Sequence, residues 1–342
     1  MILVTGGTGL VGSHLLYKLV SENQQVKAIY RRAHTLERVK HVFSYYAKNY
    51  NVLFDKIEWI EADLNDIPSL EIAFKNVNYV YHCAAFVSFE PNKYHQLRNI
   101  NIDGTANIVN LSISNSIKKL CYVSTIASIG NEPNPNQLIT EQTEWNSEED
   151  NSVYAITKYG AEIEVWRGTQ EGVPAVIVNP GIILGPGYWK GGSSGNLFLR
   201  IYKGLNYYTN GTTGYVDVWN VCDIMFKLMQ SDIINERYIL VSENLSFNEF
   251  QSKVAQTLHV NPAKKEAGQF ILGIGWRLDW LVSKLFGKRR KLSKQLAKSV
   301  RTKTVYDNSK IKDTLQIEFN SIDDSIDKVS TFYLKDILKI QS

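Results

Sequence analysis

The chain's 342 residues, 44% hydrophobic and 21% charged, suffice for one large domain or two interleaved ones with a full core, and exclude a disordered or fibrous composition. A strand starting at residue 2 leaves no room for a signal peptide, the longest apolar stretch, Phe270 to Val282, is too short to cross a bilayer and holds Arg277 and Asp279, and Cys83, Cys121 and Cys222 are odd in number, widely spaced and without a metal-ligand pattern. The net charge is only +4, so these totals predict a soluble, reduced, cytoplasmic protein with no metal, no transmembrane segment and no nucleic-acid partner.

Ile2 to Val4 is a β-branched apolar run suited to a buried parallel strand, and it stops at Thr5-Gly6-Gly7-Thr8-Gly9. Helical spacing follows in Val11, Leu15, Leu16, Leu19 and Val20. The glycines read either as Gly7-x-Gly9-x-x-Gly12 or as Gly6-x-x-Gly9-x-x-Gly12. A strand that turns on glycines straight into a helix gathers unpaired N–H groups and the positive end of a helix dipole, which is where a pyrophosphate sits. A second strand, Val26 to Tyr30, ends at Arg31-Arg32, with no acid before Glu37 to take ribose hydroxyls. That favours NADP(H) over NAD(H), with Arg31 as the partner of a 2′-phosphate. The other reading is two arginines on a solvated loop.

Further along, Thr35 to Tyr46 has helical spacing, Ile57 to Ala62 is a strand ending in Asp63-Leu64, and Val77 to His82 is a strand closing on Cys83-Ala84-Ala85. Asn99 to Ser114 reads as a helix with Gly104 inside it, where glycine is placed for close packing. Leu120 to Val123 is a fifth strand running into Ser124-Thr125. This alternation predicts a doubly wound parallel α/β sheet with its ligand at the carboxyl ends of the strands. Residues 131–150 are polar and form a loop at the edge of the site. Ser152 to Arg167 is a helix that carries Tyr154 and Lys158 four apart on one face. A phenol is a poor base at neutral pH unless a cation favours its ionised form, and Lys158 is that cation.

Thr5-Gly6-x-x-Gly9-x-x-Gly12, Asp63-Leu64, His82-Cys83-Ala84-Ala85, Asn101-x-x-Gly104-Thr105, Ser124-Thr125, Tyr154-x-x-x-Lys158 and Asn179-Pro180-Gly181, in this order, resemble an extended short-chain dehydrogenase/reductase of the NAD-dependent epimerase/dehydratase superfamily. A Tyr306-Asp307-x-Ser309-Lys310 turn is similar to one in dihydroflavonol reductase-like members. The resemblance implies a Rossmann-type fold with a smaller, interleaved C-terminal substrate domain: 1–180 with about 216–241 for the dinucleotide, and 181–215 with 242–342 for the substrate. It further implies Tyr154 as general acid/base, Lys158 on the nicotinamide ribose lowering the tyrosine's pKa, and Thr125 on the substrate oxygen. The cofactor would lie along Gly6, Thr8, Gly9, Leu10, Val11 and Gly12. Arg31, Asp63, Leu64, Cys83, Ala84 and Ala85 would line its adenosine side and middle, and Pro180 and Ile183 its nicotinamide. Asn101 would be structural.

After a sixth strand, Val176 to Val178, the chain turns irregular through residues 187–195, returns at Tyr215 to Asp217, and gives a helix at Asp223 to Met229 and a seventh strand at Tyr238 to Val241. Leu245 to Leu258 is an amphipathic helix with a cap at Ser246 and Glu249 three residues on. A helix from Phe270 to Phe286 runs into a basic segment, Lys284, Lys288, Arg289, Arg290, Lys291, Lys294, Lys298, Arg301 and Lys303, which contributes +9 with no acid among them and leaves −5 for the rest. Segment 270–303 is either core packing with a solvated basic face or a peripheral membrane contact. A final helix runs from Ser321 to Leu338.

Three functions fit. The first is NADPH-dependent reduction of a ketone or aldehyde on a small, apolar or aromatic substrate, which Tyr188, Trp189, Tyr202, Tyr207, Tyr208 and Trp219 would suit. The second is an NAD-dependent nucleotide-sugar epimerase or dehydratase, whose relatives use an asparagine near Asn179 and a small-domain arginine where this chain has Asn210-Gly211-Thr212-Thr213-Gly214. The third is an NADP(H) sensor without turnover, which would have no need of Tyr154, Lys158 and Thr125. Many relatives are homodimers.

Overall fold

The computed structural model describes residues 1–341 apart from 133, 135–136, 191–193, 287–289 and 291. The chain opens as β1 (Ile2–Thr5), α1 (Leu10–Ser21), β2 (Val26–Tyr30), α2 (Leu36–Tyr46), α3 (Tyr50–Asp55), β3 (Ile57–Glu61), α4 (Ile67–Phe74) and β4 (Tyr79–His82). It continues through α5 (Tyr94–Leu97), a π-helical turn over Arg98–Asp103, α6 (Gly104–Ser114), β5 (Lys119–Val123), α7 (Val153–Gln170) and β6 (Ala175–Pro180). The later elements are β7 (Ile182–Leu184), α8 (Gly195–Tyr202), β8 (Tyr207–Tyr208), β9 (Thr212–Asp217), α9 (Val218–Gln230), β10 (Glu236–Leu240), β11 (Glu243–Ser246) and α10 (Phe247–Thr257). Then follow β12 (Lys265–Glu266), α11 (Gln269–Phe286), α12 (Lys294–Ser299), α13 (Ser309–Leu315) and α14 (Ile322–Gln341).

Seven strands form one sheet in the order β10-β6-β5-β4-β1-β2-β3, and every pairing in it is parallel. This is the Rossmann-type α/β architecture that the alternating pattern predicts. Helices cover both faces because a parallel sheet of Val, Ile and Leu must be buried on both sides. Strand order reverses between β1 and β4, and in such sheets the crevice beyond that point is where a ligand binds. Ser246 caps α10, accepting from the Glu249 amide at 3.1 Å, as its sequence suggests.

A second, smaller core gathers Leu184, Phe198, Tyr215, Phe250, Ile326 and Tyr333 around a three-stranded sheet in the order β11-β9-β7. The chain is interleaved, because β10 returns to the edge of the large sheet beside β6 between β9 and β11 of the small one. Several details depart from the sequence reading: the helix expected from Asp223 begins at Val218, and Leu245, expected to open a helix, lies in strand β11 ahead of α10. The helix expected over residues 99–114 begins as a π turn, which brings the buried Asn101 inward. Short α3 and α4 fill stretches with too few residues to show a period.

Candidate active site

At the carboxyl end of β1 the backbone turns through Gly6 at φ +69°, and an added Cβ there would lie 2.5 Å from the Ala84 amide nitrogen at the end of β4. Gly12 packs α1 onto the same turn so closely that a Cβ would sit 2.2 Å from the Gly6 carbonyl oxygen. No side chain caps α1, so its first-turn N–H groups, which have no intrahelical partner, are offered at the crevice. Thr8, Gly9, Leu10 and Val11 are half-buried around it. A cradle of bare backbone at a helix N-terminus fits a dinucleotide's pyrophosphate.

Thr5 and His82 tie the two central strand ends together. The Thr5 hydroxyl lies 2.6 Å from His82 Nδ1 and the Thr105 hydroxyl 2.9 Å from Nε2, and burial holds the imidazole pKa down to about 3. Cys83 and Ala84 are half-buried and Ala85 exposed along the rim. Exposed Arg31 sits 3.6 Å from Asp63, which puts the two expected adenosine-side groups together at the ends of β2 and β3. Leu64 packs on Gly104, whose added Cβ would be 2.9 Å away, the close contact expected of that glycine. Asn101 accepts from the Phe86 amide at 2.7 Å and donates to its carbonyl and to Thr157. It pins the loop after β4 to α7, a structural position.

Tyr154, Lys158 and Thr125 converge. Thr125 lies two residues past β5 and caps the turn that follows it, with its hydroxyl beside the Tyr154 phenol. Burial pushes that phenol up to about 12, with the Thr125 bond opposing the shift. One turn on, buried Lys158 donates to Tyr122 Oη at 2.5 Å and to the Val123 carbonyl at 2.9 Å. Burial lowers its pKa to about 7, and nearby Glu162 raises it. The lysine faces Tyr122, and the Tyr154 pKa is raised by its own burial where the sequence reading expected Lys158 to lower it. Phe89 packs edge-on against Tyr154 with ring centroids 5.4 Å apart. Buried Pro180 and half-buried Ile183 lie at the ends of β6 and in β7.

Sequence reading missed Glu162. Its buried carboxylate accepts from Ser124 (2.7 Å), Ser128 (2.8 Å) and Asn179 (3.1 Å) and pairs with Arg237 at 3.2 Å. The available signal was spacing: an acid four residues past Lys158 and eight past Tyr154 lies on the same helical face. The same network engages the Asn179 amide with Thr125, Ser128 and Glu162 inside the protein.

The aromatic residues expected around a substrate are mostly packing groups. Tyr188 is buried and donates to the Thr8 carbonyl at 3.0 Å. Trp189 donates to Asp336 and packs with Tyr202 on Tyr333. Trp219 packs edge-on among His14, Tyr17 and Tyr46. A cavity of about 440 Å³ beside α7 is lined by Glu162 together with Trp145, Tyr159, Trp166 and Arg237, and Tyr154 and Lys158 are not among its lining residues. Among the described residues no cluster of three or more His, Cys, Asp or Glu side chains is arranged to hold a metal, and no helix is long and apolar enough to cross a membrane.

The sequence pattern of the NAD-binding male sterility protein family matches residues 4–248. The chain belongs to that family. It is an extended short-chain dehydrogenase/reductase, an NAD(P)-dependent oxidoreductase whose cofactor is a nicotinamide dinucleotide. Among its relatives, the putative dihydroflavonol 4-reductase of Synechocystis is 29% identical over 248 residues, covering 71% of this chain and 68% of that protein. Sterol demethylase protein B of Methylococcus capsulatus is 25% identical over 289 residues, 84% of each chain. In fold, the crystal structure of gox2253 is similar at TM-score 0.81 and 22% identity, covering 98% of both chains. The UDP-glucose 4-epimerase of Thermotoga maritima is similar at 0.76 and 19%, covering 98% of this chain and 99% of that one.

Proposed function

We propose that this oxidoreductase reduces a ketone or aldehyde carbonyl on a small apolar or aromatic substrate, with NADPH preferred over NADH and Tyr154 as the proton donor. The observation that carries the reading is the meeting of the Tyr154 phenol, the Thr125 hydroxyl and the Lys158 ammonium just past the carboxyl end of β5. A protonated phenol there serves the reductive direction, where a proton must be given to the carbonyl oxygen as charge builds there. When bound, the nicotinamide supplies the hydride.

Thr125 orients both the phenol and the substrate oxygen. Lys158 remains close to its own pKa, so its ammonium is available to the ribose and to the phenolate left after proton transfer, and Glu162 favours that charged state. Arg31, exposed at the end of β2, offers a planar guanidinium to a 2′-phosphate. The ring of Phe89 beside Tyr154 supports an apolar or aromatic substrate. So do the names of relatives such as the Synechocystis dihydroflavonol reductase and the Petunia cinnamoyl-CoA reductase, which is 23% identical. On this reading residues 1–180 with 216–241 hold the dinucleotide, and 181–215 with 242–342 cover the substrate. The absence of an arginine from 210–214 weighs against a nucleotide-sugar epimerase.

Turnover and dinucleotide titrations test the assignment together. Tyr154→Phe is expected to lower kcat about 100- to 10,000-fold with NADPH affinity nearly unchanged, and Arg31→Ala to erase the preference for NADPH. Undiminished turnover in Tyr154→Phe overturns the proton donor. Wild-type protein that binds NADH more tightly than NADPH overturns the role of Arg31.

A further inference from the structure

Helix α11 has 18 residues and buries one of them, Leu272. Its underside is occupied: Leu272 clusters with Ala267 and Ala297 beside Trp276, Leu292 and Val300, and the Asp279 carboxylate accepts from the Leu292 amide at 3.1 Å. The opposite stripe, Ile271, Ile274, Leu278, Leu281, Val282 and Leu285, is 40–66% exposed. These positions recur at three and four, so they form one continuous apolar face. Monomeric soluble proteins rarely leave such a patch to water.

The charge beside it limits what covers it. Residues 284–303 contribute +9 with no acid, on a chain that is otherwise −5. Lys298, Arg301 and Lys303 are exposed, and Lys284 lies over the Trp280 ring at 5.2 Å. Lys288, Arg289 and Lys291 lie outside the described residues. A second copy docked by a two-fold axis would set one cationic patch against another, because such an interface places the same surface on both sides. An anionic bilayer offers both things the patch lacks, a hydrocarbon boundary for the stripe and negative headgroups for the cations.

We propose that α11 and α12 form a docking surface for an anionic lipid bilayer. Helix α11 lies in the interface plane with Ile274, Leu278 and Leu281 inserted, and the exposed Lys284, Lys298, Arg301 and Lys303 face the headgroups. Since no described helix can span a membrane, the contact is peripheral. It is also next to the candidate site: Lys294 pairs with Asp150 at 3.7 Å and Gln295 donates to the same carboxylate, two residues before Ser152, the cap of the helix that bears Tyr154. Docking therefore holds the mouth of the cleft near the lipid surface.

Co-sedimentation of the full chain with vesicles of phosphatidylcholine alone, or mixed with phosphatidylserine, tests this. The protein is expected to pellet with the mixed vesicles, to be released as salt rises, and to ignore the neutral ones. Each cation removed, as in Lys298→Gln or Lys303→Gln, should weaken binding about fivefold. Leu278→Glu with Leu281→Glu should abolish it without moving the thermal melt, since both side chains already face solvent. Absence of salt-sensitive pelleting overturns the proposal. So does a wild-type dimer in sedimentation velocity that the Leu278→Glu variant dissociates, because the face would then belong to a second copy of the chain.

Discussion

Helices α7 and α11 have the same length, 18 residues, and opposite fates. α7 buries Lys158, Glu162 and Thr157 along with its alanines and Val165, whereas α11 carries Trp, Ile, Leu and Phe and buries only Leu272. Apolar content does not decide burial here. Docking does, because a parallel sheet leaves α7 nowhere else to go, and the polar groups it takes inside are each met by partners. Its buried charges answer one another, and the exposed leucines of α11 join no core cluster among the described residues.

The largest expected effect falls on α7. Replacing Glu162 with Gln removes the acceptor shared by Ser124, Ser128 and Asn179 and leaves the Arg237 guanidinium without its partner, for an expected loss of about 3 kcal/mol or more in urea unfolding at pH 7. It should also lower the Lys158 pKa further, moving the activity profile toward acid. A change under about 1 kcal/mol would mean that the buried network is not what holds this helix.

Next comes acid. His82 and buried His14 have pKa values lowered from 6.5 to about 3 and about 4, chiefly by burial. The unfolded chain therefore takes up protons that the folded one refuses, and the stability these groups allow at pH 7 is lost as pH falls from about 6.5 toward 4. Each should cost about 2 kcal/mol between pH 7 and 5, read from denaturation at the two pH values. Residues 269–286 hold no histidine and contribute nothing to that slope.

Glycine substitutions give the smallest and most direct contrast. Gly12→Ala forces a Cβ against the Gly6 carbonyl and should destabilise by about 1–3 kcal/mol and weaken dinucleotide binding. In α11, a Cβ at Gly273 meets only the end of the Arg277 side chain at 3.5 Å. Gly273→Ala should raise stability by up to about 1 kcal/mol. Equal effects from the two, measured by denaturation, would erase the distinction between docked and undocked helices.

Much of the first half was legible because its signals are local. The glycine turn, the β-branched strands and the Tyr154/Lys158 spacing each lie within one or two elements. What stayed hidden depends on contacts between distant segments. Glu162 draws its partners from the turn after β5, from β6 and from β10, and no single stretch shows that Arg237 reaches it. The aromatic residues near 188, 202 and 219 look like a pocket in sequence because packing and lining use the same side chains, and only their neighbours tell them apart. Strands of three to six residues in the small sheet carry too little pattern to pair in advance.

The placement of β10 beside β6 has a consequence for synthesis. At about 5–20 residues per second, β10 follows β6 from the ribosome by roughly 3–12 s. During that interval β6 is the outermost strand, its outer row of backbone groups awaiting β10, and such an open edge is a template for pairing with other chains. The nascent protein therefore passes through a stage in which most of its dinucleotide fold exists with one flank unguarded, and a holdase that shields that flank should raise the yield of active enzyme.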